Sequence, residues 1–459
     1  MRRQIVFGDS WIEADLPDES HEVSPGVSTT LDPLTDPQAA IRAALDRPLD
    51  LPPLHEFARG RRKVTIAFDD PTVPCYAPVW NWGLNEILAD LDRAGIDEEH
   101  IHLLCANALH RKFTNDELAT ILGRELVERF SGRLRCHDAE DPDAMIDHGV
   151  TPNGYQVDLN RAVSDSDLVI YLNCSTTRGF SGGWKSICVG LSSYQSISHH
   201  HDPETMSMSM DRNRMHAILD EMGELTENAL GRDRFFKIET VLANPLQPAA
   251  FFCGTVGATR KAALDLNRSG MSNRRDLLEE KVDIVLYGVP DWSPYAAFSF
   301  TNPVLTLIST GLGYLGGVIE ALGKPGCTVI LATPCEDRWD DLHHPSYREV
   351  WDSVVPVTKD PFEAKQMFEA EFAGRDRYVE AYRNRYGFHG SHGIMALYPL
   401  KRLRHASRVI VAGARDPSLA RHAGLDSAKS VEAALAEAAG SHGPEATVAF
   451  VPYPQAANR

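Results

Sequence analysis

The sequence predicts an α/β protein of two domains, each built on a mostly parallel sheet. Three observations carry this. Short apolar runs of strand length recur along the chain, with helix-length patterns between them. Several of these runs end in tight polar clusters, as strands do where a parallel sheet opens to a ligand. The chain has 459 residues, 43% of them hydrophobic, which is more than one core normally accommodates.

The elements follow in order. Residues 20–40 are rich in Pro, Ser, Thr and Asp and read as loop. Val64-Thr-Ile-Ala-Phe68 reads as a strand running into Asp69, Asp70, Pro71 and Thr72. Ile101-His-Leu-Leu-Cys105 is a second strand, leading through Asn107 to His110 and Arg111. Thr114 and Glu117 then have capping-box spacing, and Leu118, Ile121, Leu122 and Leu126 fall on one helical face. Asp167-Leu-Val-Ile-Tyr-Leu-Asn173 reads as a buried parallel strand. A polar stretch, Asn267–Arg274, separates an N-terminal domain over 1–275 from a C-terminal domain over 276–459. The second domain opens with the strand Val282–Tyr287. A long helix over Val304–Leu322, a Gly323-Lys-Pro-Gly326 turn and the strands Thr328–Ala332, Arg408–Ala412 and Thr447–Val451 follow. No internal repeat or low-complexity tract is visible. A ligand lodged between the two halves is the default expectation for such a protein.

Composition narrows the function. A net charge of −18 argues against nucleic acid, which needs a basic face. No run of about 18 apolar residues suggests a membrane helix, and Met1-Arg-Arg opens no secretory pattern. A cytoplasmic location is expected. The eight cysteines show no C-x-x-C spacing, and most lie in apolar stretches as expected of reduced, buried thiols.

The stretch after the 167–173 strand is the most informative. Residues 179–186 read Gly-Phe-Ser-Gly-Gly-Trp-Lys-Ser, with His199, His200 and His201 shortly downstream. The loop approaches the phosphate-binding pattern G-x-x-x-x-G-K-[ST], but Trp184 stands where close backbone approach requires glycine. Lys185 therefore holds something other than a nucleoside triphosphate. Ligands bind beyond the carboxyl ends of parallel strands, so Asp69, Asp70, Thr72, His110 and Lys185 are expected to converge on one crevice. Each has a plainer reading. Asp and Thr beside Pro form turns and caps, His110 fits inside a β-to-α turn, and Lys185 and the histidine run suit a solvated surface.

Asp69-Asp-Pro-Thr72, Leu109-His-Arg111 and Gly179–Lys185 followed by His201 resemble the nickel-pincer-nucleotide-dependent lactate racemase family. Cys136-His-Asp138, Leu159-Asn-Arg-Ala-Val163, Phe236–Leu242 and Ser430–Leu435 extend the resemblance over nearly the whole chain. It implies a racemase or epimerase of hydroxy acids, with cofactor-maturation proteins as partners. It implies a pyridinium-3-thioamide-5-thiocarboxylic acid mononucleotide joined to Lys185, with nickel held by the cofactor and by His201, sixteen residues further on. Gly182, Gly183, Asp69, Asp70 and Thr72 would help hold the nucleotide, and His110 would be the general base.

The departures matter equally. The family's second catalytic histidine position is Ser175, its carboxylate-binding arginine position is Val73, and its Tyr-Gln-x-x-Lys stretch is Tyr295-Ala-Ala-Phe-Ser299. A hydroxy acid larger than lactate is therefore expected. Arg178 replaces the lost cation, with Ser175, Tyr295 and Arg111 as further substrate contacts. Trp292, Tyr295, Phe298 and Phe300 suggest an aromatic pocket. Two other readings stand beside this one. One is a non-catalytic nickel-cofactor or anion-binding protein. The other is a metal-dependent hydrolase using His199–His201 with Asp202 or Glu204.

Overall fold

The computed structural model describes residues 1–23, 31–175, 180–205, 213–270, 278 and 280–452. Its strands are, in order, β1 Arg2–Phe7, β2 Ser10–Asp15, β3 His21–Glu22, β4 Val64–Asp69, β5 Ile101–Ala106, β6 Leu134–Cys136, β7 Met145–Val150 and β8 Gln156–Asn160. Then come β9 Leu168–Ser175, β10 Phe235–Asn244, β11 Gln247–Gly254, β12 Val282–Gly288, β13 Gly323–Ala332, β14 Arg408–Ala412, β15 Asp426–Ala428 and β16 Val448–Val451.

The chain divides into two compact units. One comprises 29–270 with 382–386; the other comprises 1–28, 271–381 and 387–459. This differs from a single break after residue 275. The cause is strand pairing: β3 adds parallel to β16, and Gly8 bridges to Pro290 beyond β12. The N-terminal strands thus complete the C-terminal unit.

The 29–270 unit holds a six-stranded sheet in the order β11-β10-β9-β4-β5-β6. All neighbours are parallel except β10 and β11. β4 is buried at every position because helices cover the sheet, and its apolar residues join a core containing Trp80, Leu84, Leu172 and Ile238. The predicted capping box forms at the helix Asn115–Leu122. Thr114 Oγ1 accepts from Glu117 N at 3.2 Å, and Glu117 Oε2 accepts from Thr114 N at 2.8 Å.

The other unit holds a parallel sheet in the order β15-β14-β13-β12-β16-β3. Two expectations change here. Gly323–Gly326 is no free turn but the start of β13, where an irregular register with β12 takes up the extra residues between Gly323 and Thr328. The 304–322 helix is broken near Gly316, into a widened segment Val304–Tyr314 and a regular one, Gly317–Leu322. By length and a hydropathy of 1.4 it could cross a membrane, contrary to the reading of the sequence. Of its most apolar window 67% is buried inside the structure, as in a core helix. All eight cysteines are free thiols, and only Cys136 is less than fully buried.

Candidate functional site

The carboxyl ends of β4, β5 and β9 carry the site. Asp69, the last residue of β4, is buried and accepts hydrogen bonds from Tyr171 Oη (2.9 Å), Asn173 Nδ2 (3.2 Å) and Cys174 N (2.7 Å). Burial pushes its carboxyl up, against the pull of Lys237 and these donors. Asp69 thereby fastens β9 to β4.

Asp70 faces the other way. Its Oδ1 accepts from Thr72 N at 2.8 Å and from the Thr72 hydroxyl, and its Oδ2 meets His110 Nδ1 at 2.8 Å. An ionised carboxylate only accepts, so His110 carries its proton on Nδ1. The Thr72 hydroxyl, 3.2 Å from the same nitrogen, donates its hydrogen to Asp70 Oδ1 and so can only accept there. The basic lone pair of His110 is then on Nε2. His110 keeps 25% of its side-chain exposure while Asp70 keeps 3%, a part-exposed base over a buried orienting anion.

The turn that aims His110 is strained. Ala108 adopts φ +48°, which costs a non-glycine residue about 1–2 kcal/mol. Ala108 N donates to Gly190 O at 3.1 Å, and Ala108 O accepts from Tyr382 Oη at 2.8 Å. Arg111, expected near substrate, turns inward instead. Its guanidinium is fully buried, binds Glu117 at 2.7 and 3.1 Å and lies over the Phe113 ring. A capping-box carboxylate has claimed it.

The glycine loop is clamped from several elements. Gly182 has φ +87°, and a Cβ there would lie 1.6 Å from Glu239 Oε1. Gly183, at φ +59°, packs against Arg260 and donates to Glu239 Oε2 at 3.3 Å. Arg260 donates to Ser181 O, and His216 Nε2 meets Phe180 O at 2.9 Å. Trp184, the residue that broke the phosphate-loop pattern, is buried edge-on to Phe235 and presses on Gly223. It anchors the loop rather than approaching a ligand.

Lys185 starts the short helical turn Lys185–Cys188 with its Nζ 4.6 Å from the Phe180 ring centroid. Burial lowers its pKa, opposed by Asp69 and Asp70, which moves it towards the neutral, nucleophilic amine. Lys237 and Glu239, inside the Phe236–Leu242 run that carries part of the resemblance, were given no role in the sequence reading. They lie two apart on β10 and so share one face. Lys237 is fully buried, donates to Ser186 Oγ at 2.8 Å and is lowered to about 8 by desolvation. Glu239 accepts from Ser175 Oγ at 3.4 Å.

His200 and His201 follow the helix Tyr194–Ser198, their Nδ1 atoms 2.8 Å apart. One nitrogen must therefore donate to the other. Among the described residues, clusters of three potential metal ligands occur only at Asp46, His55, Asp90 and at Asp97, Glu99, His100. The His199–His201 run does not join Asp202 and Glu204 into one: Asp202 accepts from Glu204 N and Thr205 N, and Glu204 pairs with Arg214 at 3.4 Å. A hydrolytic metal centre with three protein ligands is thus not assembled there.

Arg178 lies outside the described residues. In the C-terminal unit, Tyr295 accepts from Tyr314 Oη at 3.2 Å, stacks edge-on against His392 at 4.5 Å and binds His344 through its carbonyl. Trp292 meets Tyr314, while Phe298 and Phe300 are exposed. Ser299 is committed to Asp340.

Residues 7–213 match the lactate racemase N-terminal domain family. The lactate racemase of Lactiplantibacillus plantarum is 26% identical over 240 residues, covering 50% of this chain and 53% of that protein. That of Thermoanaerobacterium thermosaccharolyticum is 25% identical over 237 residues, covering 51% and 52%. The chain therefore spans about half the length of the curated relatives it matches. The solved apoprotein of lactate racemase from Thermoanaerobacterium thermosaccharolyticum superimposes with a TM-score of 0.68 at 19% identity, over 99% of both chains, and so shares the fold. Over residues 7–213 the chain is thus similar to the N-terminal domain of lactate racemases.

Proposed function

We propose that this chain is a racemase or epimerase of a 2-hydroxy acid larger than lactate. The observation that carries the reading is the His110–Asp70 pair, which sets a part-exposed, basic imidazole beyond the end of β5. There His110 Nε2 takes the substrate hydroxyl proton and later returns it, with Asp70 fixing the ring and balancing the charge.

The nickel-pincer nucleotide fits the residues present. Lys185 supplies a desolvated amine for a thioamide link, on a loop whose glycines Gly182 and Gly183 let Glu239 and Arg260 pack against its backbone and hold it in place. His201 supplies one imidazole, enough for a nickel ion whose other donors come from the cofactor itself. When bound, that group provides a hydride acceptor beside the substrate carbon. Its assembly requires cofactor-maturation proteins, in the cytoplasm.

Preference for a larger acid rests on lost polar contacts. Val73 packs into the apolar core and cannot bind a carboxylate, and Ser299 is spent on Asp340. Arg178 takes over the anionic end. The test is co-expression with maturation proteins, then nickel analysis, intact mass and a chiral assay over hydroxy acids and sugar acids. A Lys185 peptide without added mass, in nickel-free protein, sinks the cofactor assignment. Activity confined to lactate sinks the substrate class.

A further inference from the structure

We propose that Ser175 and Glu239 together form the second proton acceptor of this site, in place of a histidine. The inference rests on the racemase reading, since exchanging two mirror-related substrates requires a proton acceptor on each side. The sheet supplies the geometry. β4 lies between β9 and β5, so Ser175 at the end of β9 and His110 beyond β5 flank the Asp69–Asp70 corner.

Ser175 alone is a poor base at neutral pH. Its hydroxyl, however, is only partly buried and donates to Glu239 Oε1 at 3.4 Å, while Glu239 is wholly buried. The carboxylate reaches this place because Gly182 has no Cβ: any side chain there would overlap Oε1. Its other oxygen is fixed by Gly183 N. The charged groups around it are Lys237 on the same strand and Arg260 from the helix Val256–Ser269. In the step, the substrate hydroxyl proton passes to Ser175 Oγ as the serine's own proton passes to Glu239 Oε1. Ser175 ends unchanged and Glu239 ends as the neutral acid. The cofactor proposed above would supply the acceptor for the hydride, and in the reverse direction Glu239 and Ser175 return the proton.

The experiment uses loaded holoenzyme and its best hydroxy acid. Glu239→Gln keeps the acceptor for Gly183 N and the partner for Ser175, but it cannot take a proton. The Lys185 adduct mass and nickel content are expected to stay at the wild-type level while turnover falls about 10²- to 10⁴-fold. In single turnovers one enantiomer still yields keto acid and its mirror image does not. Adding Ser175→His to E239Q restores turnover by about tenfold or more, a rescue that a purely structural glutamate would not allow. The proposal is overturned if E239Q turns over within about twofold of wild type. It is also overturned if E239Q loses the adduct, or if S175H/E239Q is no faster than E239Q. Wild-type holoenzyme inert towards every acid instead defeats the racemase reading itself.

Discussion

Replacing Asp70 by Asn tests whether the His110 tautomer is set by a buried anion. The geometry dictates how the new amide would sit. Thr72 N and the Thr72 hydroxyl both donate to Oδ1, so the amide oxygen must stay on that side. The amide NH₂ then takes the place of Oδ2, which lies 2.8 Å from His110 Nδ1. Facing a donor, Nδ1 can accept only by losing its own proton. The imidazole proton moves to Nε2, and that side of the ring loses its basic lone pair. A general base contributes about 10² to 10⁴ in rate, equal to about 3–5.5 kcal/mol at 1.36 kcal/mol per tenfold. A charge-assisted hydrogen bond of about 1.5–3 kcal/mol is lost as well, so part of the effect is weaker positioning. Two assays check this. Imidazole ¹⁵N NMR on unloaded protein should show the Nδ1–H tautomer of His110 in wild type and Nε2–H in D70N. Chiral assay of loaded D70N should show the rate loss with nickel content unchanged. An unchanged tautomer, or turnover within about twofold of wild type, refutes the reasoning.

Two further outcomes are expected. Gly182→Ala should cost far more than Gly60→Ala. Both glycines have positive φ, with the same backbone cost of about 1–2 kcal/mol, but only at 182 does a Cβ meet a carboxylate, at 1.6 Å; limited proteolysis and Lys185 adduct mass read the difference, and equal behaviour contradicts the clamp. Acid should also destabilise the 29–270 unit through its buried imidazoles, because burial lowers His216 to about 3 and His137 to about 4. The unfolded chain binds protons near pH 6.5 that the folded chain refuses, so stability is complete above that value and falls as pH drops towards 4–3, by up to about 1.4 kcal/mol per pH unit for each histidine. Denaturant melts of His216→Gln should show a shallower acid slope, and a slope equal to wild type removes His216 as a cause.

How legible this was in the sequence depended on range. Strands buried on both faces, such as Val64–Asp69 and Arg408–Ala412, announce themselves as apolar runs, and the capping box at Thr114 is a three-residue signal. Asp70, Thr72 and His110 were foreseeable because strand ends in a parallel sheet collect at one edge. The pairing of Arg111 with Glu117 was not legible, because it depends on complete burial, which no motif reveals. Trp184 depends on Gly223, far along the chain. Lys237 and Glu239 did leave a trace: two charges alternating within an otherwise apolar strand must share a buried face and need partners there.

The interleaving of the chain has a consequence for synthesis on the ribosome. β3 waits for β16, since Glu22 pairs with Phe450. At about 5–20 residues per second, the N-terminal strands stay unpaired at that edge for roughly 20–90 s after they emerge. The 29–270 sheet needs no such delay for its own strands, yet its last fastening comes late. Tyr382 Oη receives Ala139 N and donates to Ala108 O, closing the strained turn that aims His110. A nascent chain halted before residue 382 would carry the sheet with that turn still unlatched, and the base would gain its fixed direction only when the latch arrives.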